Sequence, residues 1–94
     1  MHGTTVKVEF GGGVDEYFDN NTSLQLTLPV NASFSALFSA LQSSCSVPVS
    51  SFYDNGLQPG YILLVNDTDF EVLEADYKFA DNDVVCLISL VHGG

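Results

Sequence analysis

Apolar and polar residues alternate along residues 4–10, with Val6, Val8 and Phe10 on one side and Thr5, Lys7 and Glu9 on the other. A two-residue period of this kind marks a strand with one buried face. It returns in Leu24, Leu26 and Leu28, and Pro29 ends the segment. Between the two, Gly11-Gly12-Gly13 and the acidic stretch over residues 15–21 predict a turn and a loose connection. The strands are therefore expected to pair as an antiparallel hairpin. From Asn31 the period changes. Phe34, Leu37, Phe38, Leu41 and Cys45 fall at i, i+3, i+4, i+7 and i+11, the stripe of a helix that buries one face. Asn31 or Ser33 can cap its first turn, and Val47-Pro48-Val49 breaks it.

Residues 50–57 read as a loop, and Gln58-Pro59-Gly60 as a turn that launches the strand Tyr61-Ile62-Leu63-Leu64-Val65. Asn66-Asp67-Thr68-Asp69 is expected to join it to a short partner, Phe70-Glu71-Val72-Leu73. Asp81-Asn82-Asp83 then turns the chain into residues 84–91, a run in which only Ser89 is polar. This last run is too short to span a membrane and too apolar on both faces for a sheet edge, so it reads as a central strand. The order is hairpin, helix, hairpin, terminal strand. A last strand parallel to the first, with one helix covering the sheet, makes an α+β chain of the β-grasp (ubiquitin-like) type with a mixed sheet, expected as a single domain over residues 1–94.

Composition narrows the possible partners. The net charge is −10, from twelve acids against two lysines, and there is no arginine. Nucleic-acid affinity comes from neutralising phosphates with Lys and Arg, so direct nucleic-acid binding is not expected and a basic protein partner is. The glycine triplet is not a phosphate loop, because no helix with a lysine opens behind it. Asp67, Asp69, Glu71 and Glu74 lie in a hairpin and lack the spacing of a calcium loop, so no metal site is expected. Met1-His2-Gly3-Thr4 carries no apolar leader, which points to a cytoplasmic, non-membrane chain. Cys45 and Cys86 share no motif and are expected as two independent thiols.

The sequence closes His92-Gly93-Gly94. Glycines cannot pack and take a wide range of φ, so this ending is a thin thread bearing one carboxylate, shaped to enter a narrow enzyme channel. A thread leaving the middle of a sheet is anchored by the whole fold, unlike an ordinary frayed end. No intrinsic catalytic constellation accompanies it. The chain by itself is therefore not expected to be an enzyme.

Several segments together carry a resemblance. Val8-Glu9-Phe10-Gly11-Gly12-Gly13, Pro59-Gly60 with Ile62-Leu63, Val65-Asn66-Asp67-Thr68-Asp69-Phe70-Glu71, Leu73, Asp76-Tyr77, Asp81 with Asp83, Ile88-Ser89 and His92-Gly93-Gly94 resemble the ubiquitin-related modifiers of the Urm family across essentially the whole chain. The resemblance implies a sulfur carrier for 2-thiolation of tRNA wobble uridine that is also conjugated to lysines of target proteins. It implies that Gly94 is adenylated by an ATP-dependent activating enzyme with a sulfur-transfer domain, becomes a thiocarboxylate and passes sulfur to tRNA thiolation enzymes. Gly93 and His92 are then contacts for tail recognition. His92 stands where ubiquitin has arginine before its diglycine, and reads as a contact and not as a general base. No bound cofactor is implied, and a monomer is expected. The small sulfur-carrier subunit of molybdopterin synthase, or a ubiquitin-like interaction module without tail chemistry, would share the fold.

Overall fold

The computed structural model of the chain describes residues 3–90. Five strands form one mixed sheet: β1 (Thr4–Gly11), β2 (Ser23–Leu28), β3 (Tyr61–Val65), β4 (Thr68–Asp69) and β5 (Asp83–Ser89), with the helix α1 (Phe34–Leu41) packed on one face. The strand order is β2-β1-β5-β3-β4. The terminal strand is thus central: β5 runs parallel to β1, pairing Val8 with Val85, and antiparallel to β3, pairing Leu63 with Leu87. This is the β-grasp arrangement.

The alternation along β1 and β5 sorts their side chains between two faces. Val6, Val8 and Phe10 of β1, Val85 and Leu87 of β5, and Leu63 and Val65 of β3 point into the core. There they meet Phe34, Leu37, Phe38 and Leu41, the helical stripe read from the sequence. Burying a side chain of this size contributes about 1.5–3 kcal/mol, so the face of α1 holds the helix on the sheet although eight residues are too few for a stable isolated helix. Ser33 is the cap, its hydroxyl accepting the Ala36 N–H. Asn31 instead takes a left-handed conformation before the helix.

Three expectations are corrected by the packing. Residues 15–21 are not a loose connection: Val14–Phe18 forms a 3-10 helix that buries Val14 and Phe18 completely, with Phe18 stacked on Phe10 at 4.2 Å between ring centres. The loop expected at residues 50–57 is present, and it delivers Phe52 to the core, fully buried. Cys45 is half-buried beyond the helix, which tightens into a 3-10 turn at Gln42–Ser44 ahead of Pro48.

The third correction concerns the second hairpin. Its partner strand is β4, Thr68–Asp69, and not residues 70–73. Asn66 and Asp67 both have positive φ, the geometry of a two-residue turn matched to strand twist, so pairing resumes at Thr68. Residues 70–73 then curl away, Val72 N–H bonding to the Asp69 carbonyl at 2.9 Å. That bend turns Phe70 edge-on to Phe34 at 4.9 Å. Phe70 and Leu73 pack against the core while Val72 is exposed, and the segment adds little to the ladder.

Candidate functional site

Both ends of β5 are held by features that its apolar pattern does not announce. At the start, the buried Asp83 carboxylate accepts three hydrogen bonds: from the Tyr77 hydroxyl at 2.6 Å, the Asn66 side-chain amide at 2.8 Å and the Ala80 N–H at 2.9 Å. Asn66 also accepts the Val84 N–H at 2.9 Å through its side chain and donates its own N–H to the Val84 carbonyl at 2.8 Å. Burial pushes the Asp83 carboxyl up, but the bonds from Ala80, Tyr77 and Asn66 outweigh it and hold the group below the ordinary carboxylate range. Burial, followed by the bond to Asp83 and its negative charge, pushes the Tyr77 hydroxyl up to about 12.

At the far end the strand leaves the sheet between two glycines. Gly12, at φ +66°, lies so close to Ser89 that a Cβ would overlap its carbonyl oxygen. Gly60, at φ +90°, accepts the Leu90 N–H at 2.8 Å. The β1 turn and the turn before β3 therefore grip the chain from either side as it emerges. Leu90 is 64% exposed at this exit. Val91, His92, Gly93 and Gly94, including every residue read from the sequence as reactive or recognised, lie outside the described residues.

The sheet face away from α1 carries a half-buried apolar band leading to the exit: Ile62 paired with Ile88, and Leu64 paired with Cys86, with Val84 beyond. Lys7 and Glu9 border it from β1, joined by an ion pair at 3.3 Å. The Cys86 thiol donates to the Glu9 carboxylate at 3.4 Å. Burial, then the Glu9 bond and the Glu9 and Asp67 charges, raises the Cys86 thiol, and burial raises that of Cys45. Both cysteines are free thiols turned away from nucleophilic character. Among the described residues no group of three or more His, Cys, Asp or Glu could hold a metal ion. The distinctive feature is thus mechanical: a strand locked at both ends, which leads the chain out of the middle of the fold at Leu90.

The family model of Urm1 (Ubiquitin related modifier) matches residues 5–94. The chain belongs to this family. It is 36% identical to ubiquitin-related modifier 1 of Bos taurus over 96 residues, covering 96% of this chain and 95% of that protein. The solution structure of Urm1 from Trypanosoma brucei, 32% identical, superposes with a TM-score of 0.74 over 100% of this chain and 99% of the other. The crystal structure of SAMP1 from Haloferax volcanii, 18% identical, shares the fold with a TM-score of 0.71 over 96% of this chain and 99% of that one. Among the residues that build the strand exit, Gly12 and Gly60 gave a sequence signal as turn formers and as part of the motifs that carry the resemblance, in the glycine triplet and the Pro59-Gly60 pair. The Asp83 cluster joins residues far apart in sequence and had no local signal.

Proposed function

We propose that the chain is a ubiquitin-like sulfur carrier for 2-thiolation of tRNA wobble uridine, and a modifier joined to target lysines through the same end, with the Gly94 carboxylate as the reacting group. The observation that carries this reading is a family match running through residue 94 on a fold whose last strand is held at the centre of the sheet. Four residues beyond Leu90 reach at most about 14 Å, so a partner that engages Gly94 must also approach the body of the fold. The apolar band and Leu90 offer the surface for that approach.

A carboxylate is a poor acyl donor because its leaving group would be oxide. Attack of a Gly94 oxygen on the α-phosphate of ATP expels pyrophosphate and converts that oxygen into part of AMP, a good leaving group. A persulfide sulfur on the activating enzyme can then displace AMP, and cleavage of the sulfur–sulfur bond by a second thiol leaves a thiocarboxylate on Gly94. Attack by a lysine amine on the activated carbonyl gives an isopeptide instead. In this scheme the chain is substrate and carrier, and the catalytic groups belong to its partners. Such a carrier would work in the cytoplasm, where Cys45 and Cys86 would remain thiols.

Intact mass spectrometry after incubation with an activating enzyme, ATP and a sulfur donor tests the reading. The expected product has one terminal oxygen of Gly94 replaced by sulfur, and deletion of Gly94 should abolish both this product and ATP–pyrophosphate exchange while leaving the thermal melt unchanged. A folded deletion variant that still supports exchange would sink the proposal.

A further inference from the structure

Away from the strand exit, a cleft of about 380 Å³ opens between the start of α1, the loop at residues 53–56 and the turn at residues 70–75. None of Gly12, Gly60, Ser89 or Leu90 lines it, so exit and cleft are separate surfaces. The lining includes both aromatic and acidic residues: Phe34, Tyr53 and Phe70, with Leu73 beside them, and Glu71 and Glu74.

The rings brace one another, Phe70 lying edge-on to Phe34 at 4.9 Å and to Tyr53 at 6.1 Å. Both rims are hydrogen-bonded. Asp54 N–H donates to the Gly56 carbonyl at 2.8 Å on one side, and Glu71 N–H to the Asp69 carboxylate at 2.8 Å on the other. Space beside Gly56 is open, since a Cβ built there would meet nothing within 4 Å. The cleft is therefore preformed, and an occupant would not have to order a loop.

Its chemistry selects the occupant. No lysine, arginine or histidine lines it, and among the described residues neither Glu71 nor Glu74 makes an ion pair. A purely apolar side chain would leave the negative charge of the two exposed glutamates unmatched, and an anion would be repelled. A guanidinium satisfies both halves of the lining. Its flat, weakly hydrated face stacks on aromatic rings, its paired N–H groups fit carboxylates, and its methylene stem can lie along Leu73. The chain, at net charge −10, has no arginine of its own to supply.

We infer that this cleft receives an arginine side chain from a protein partner, as a docking contact independent of whatever Gly94 carries. The probe is a capped Gly-Arg-Gly tripeptide, with its citrulline counterpart, which keeps the shape and loses the charge. Each is titrated into the full chain while backbone amide shifts are followed by NMR. The arginine peptide should give saturable shifts confined to the neighbourhood of residues 53–56 and 70–75, and the citrulline peptide should not. Glu71→Gln combined with Glu74→Gln, both at exposed positions, should weaken binding about tenfold. Phe70→Leu, which keeps apolar volume and removes the ring, should weaken it too. Asp19→Asn with Asp67→Asn removes the same charge elsewhere and should leave binding unchanged. Non-saturating drift over the whole acidic surface, equal binding of the citrulline peptide, or full affinity in the glutamine pair would each overturn the inference. ATP–pyrophosphate exchange run on the glutamine pair keeps this test apart from that of the tail.

Discussion

Gly12 and Ser89 meet backbone to backbone, the α-carbon of one against the carbonyl of the other, where the first and last strands part. Gly12→Ala faces two obstacles there. A left-handed conformation costs an alanine about 1–2 kcal/mol, and the added methyl must push β1 or β5 aside. Urea unfolding should show a loss of at least about 2 kcal/mol. A loss below about 0.5 kcal/mol would mean that the exit is looser than the contact indicates.

Tyr77 and Asp83 make the start of β5 sensitive to pH at both extremes. A carboxyl held below its ordinary value of about 3.9 stabilises the fold above that pH, and the contribution disappears as pH falls through the lowered value. A tyrosine raised to about 12 has the opposite sense. Its contribution is complete below about pH 10 and is lost as pH climbs from there towards 12. Tyr77→Phe removes a hydrogen bond to a charged group and should cost about 1.5–3 kcal/mol near neutral pH. Thermal melts between pH 7 and 12 should show the alkaline loss reduced in this variant; identical alkaline profiles would argue against the assigned role.

Leu90 is exposed and lies at the exit, so its removal separates docking from folding. Leu90→Asp should change stability by no more than about 0.5 kcal/mol. Under the proposed function it should raise the KM for the chain in ATP–pyrophosphate exchange, because it puts a charge at the end of the apolar band. An unchanged KM would show that the enzyme docks elsewhere.

The two thiols provide a check on where sulfur resides. With Cys86 bonded to Glu9 and both thiols raised, neither is built to carry a transferable sulfur. Cys45→Ser combined with Cys86→Ala should retain thiocarboxylate formation in the mass assay. A folded double variant without sulfur incorporation would relocate the chemistry from Gly94 to a cysteine.

Binary pattern alone located most of the regular elements. The alternation in residues 4–10 and 23–28 and the helical stripe from Phe34 to Leu41 were legible because each element buries one face against a common core, and that demand prints a period on neighbouring residues. The central place of β5 could be read from a different signal, an apolar run on both faces that an edge strand would not carry. The 70–73 run misled, because an apolar segment beside a helix and one in a sheet look alike over four residues. The two-residue turn at Asn66-Asp67 was already enough to reverse the chain.

The strands β1, β2, β3 and β5, the helix face from Phe34 to Leu41, the mixed order and the family resemblance through His92-Gly93-Gly94 were thus determined by the sequence, since each depends on local period or contiguous motif. Only the tertiary structure decided that Phe18 and Phe52 join the core, that Asp83 gathers Asn66 and Tyr77, that Gly12 closes on Ser89, and that Phe34, Tyr53 and Phe70 share a cleft with Glu71 and Glu74. These relationships join residues as many as 77 positions apart, as Gly12 and Ser89 are. No periodicity encodes such pairs. The parallel pairing of β5 with β1 brings Ser89 back beside Gly12, and the other pairs meet because loops and helix fold onto the same sheet.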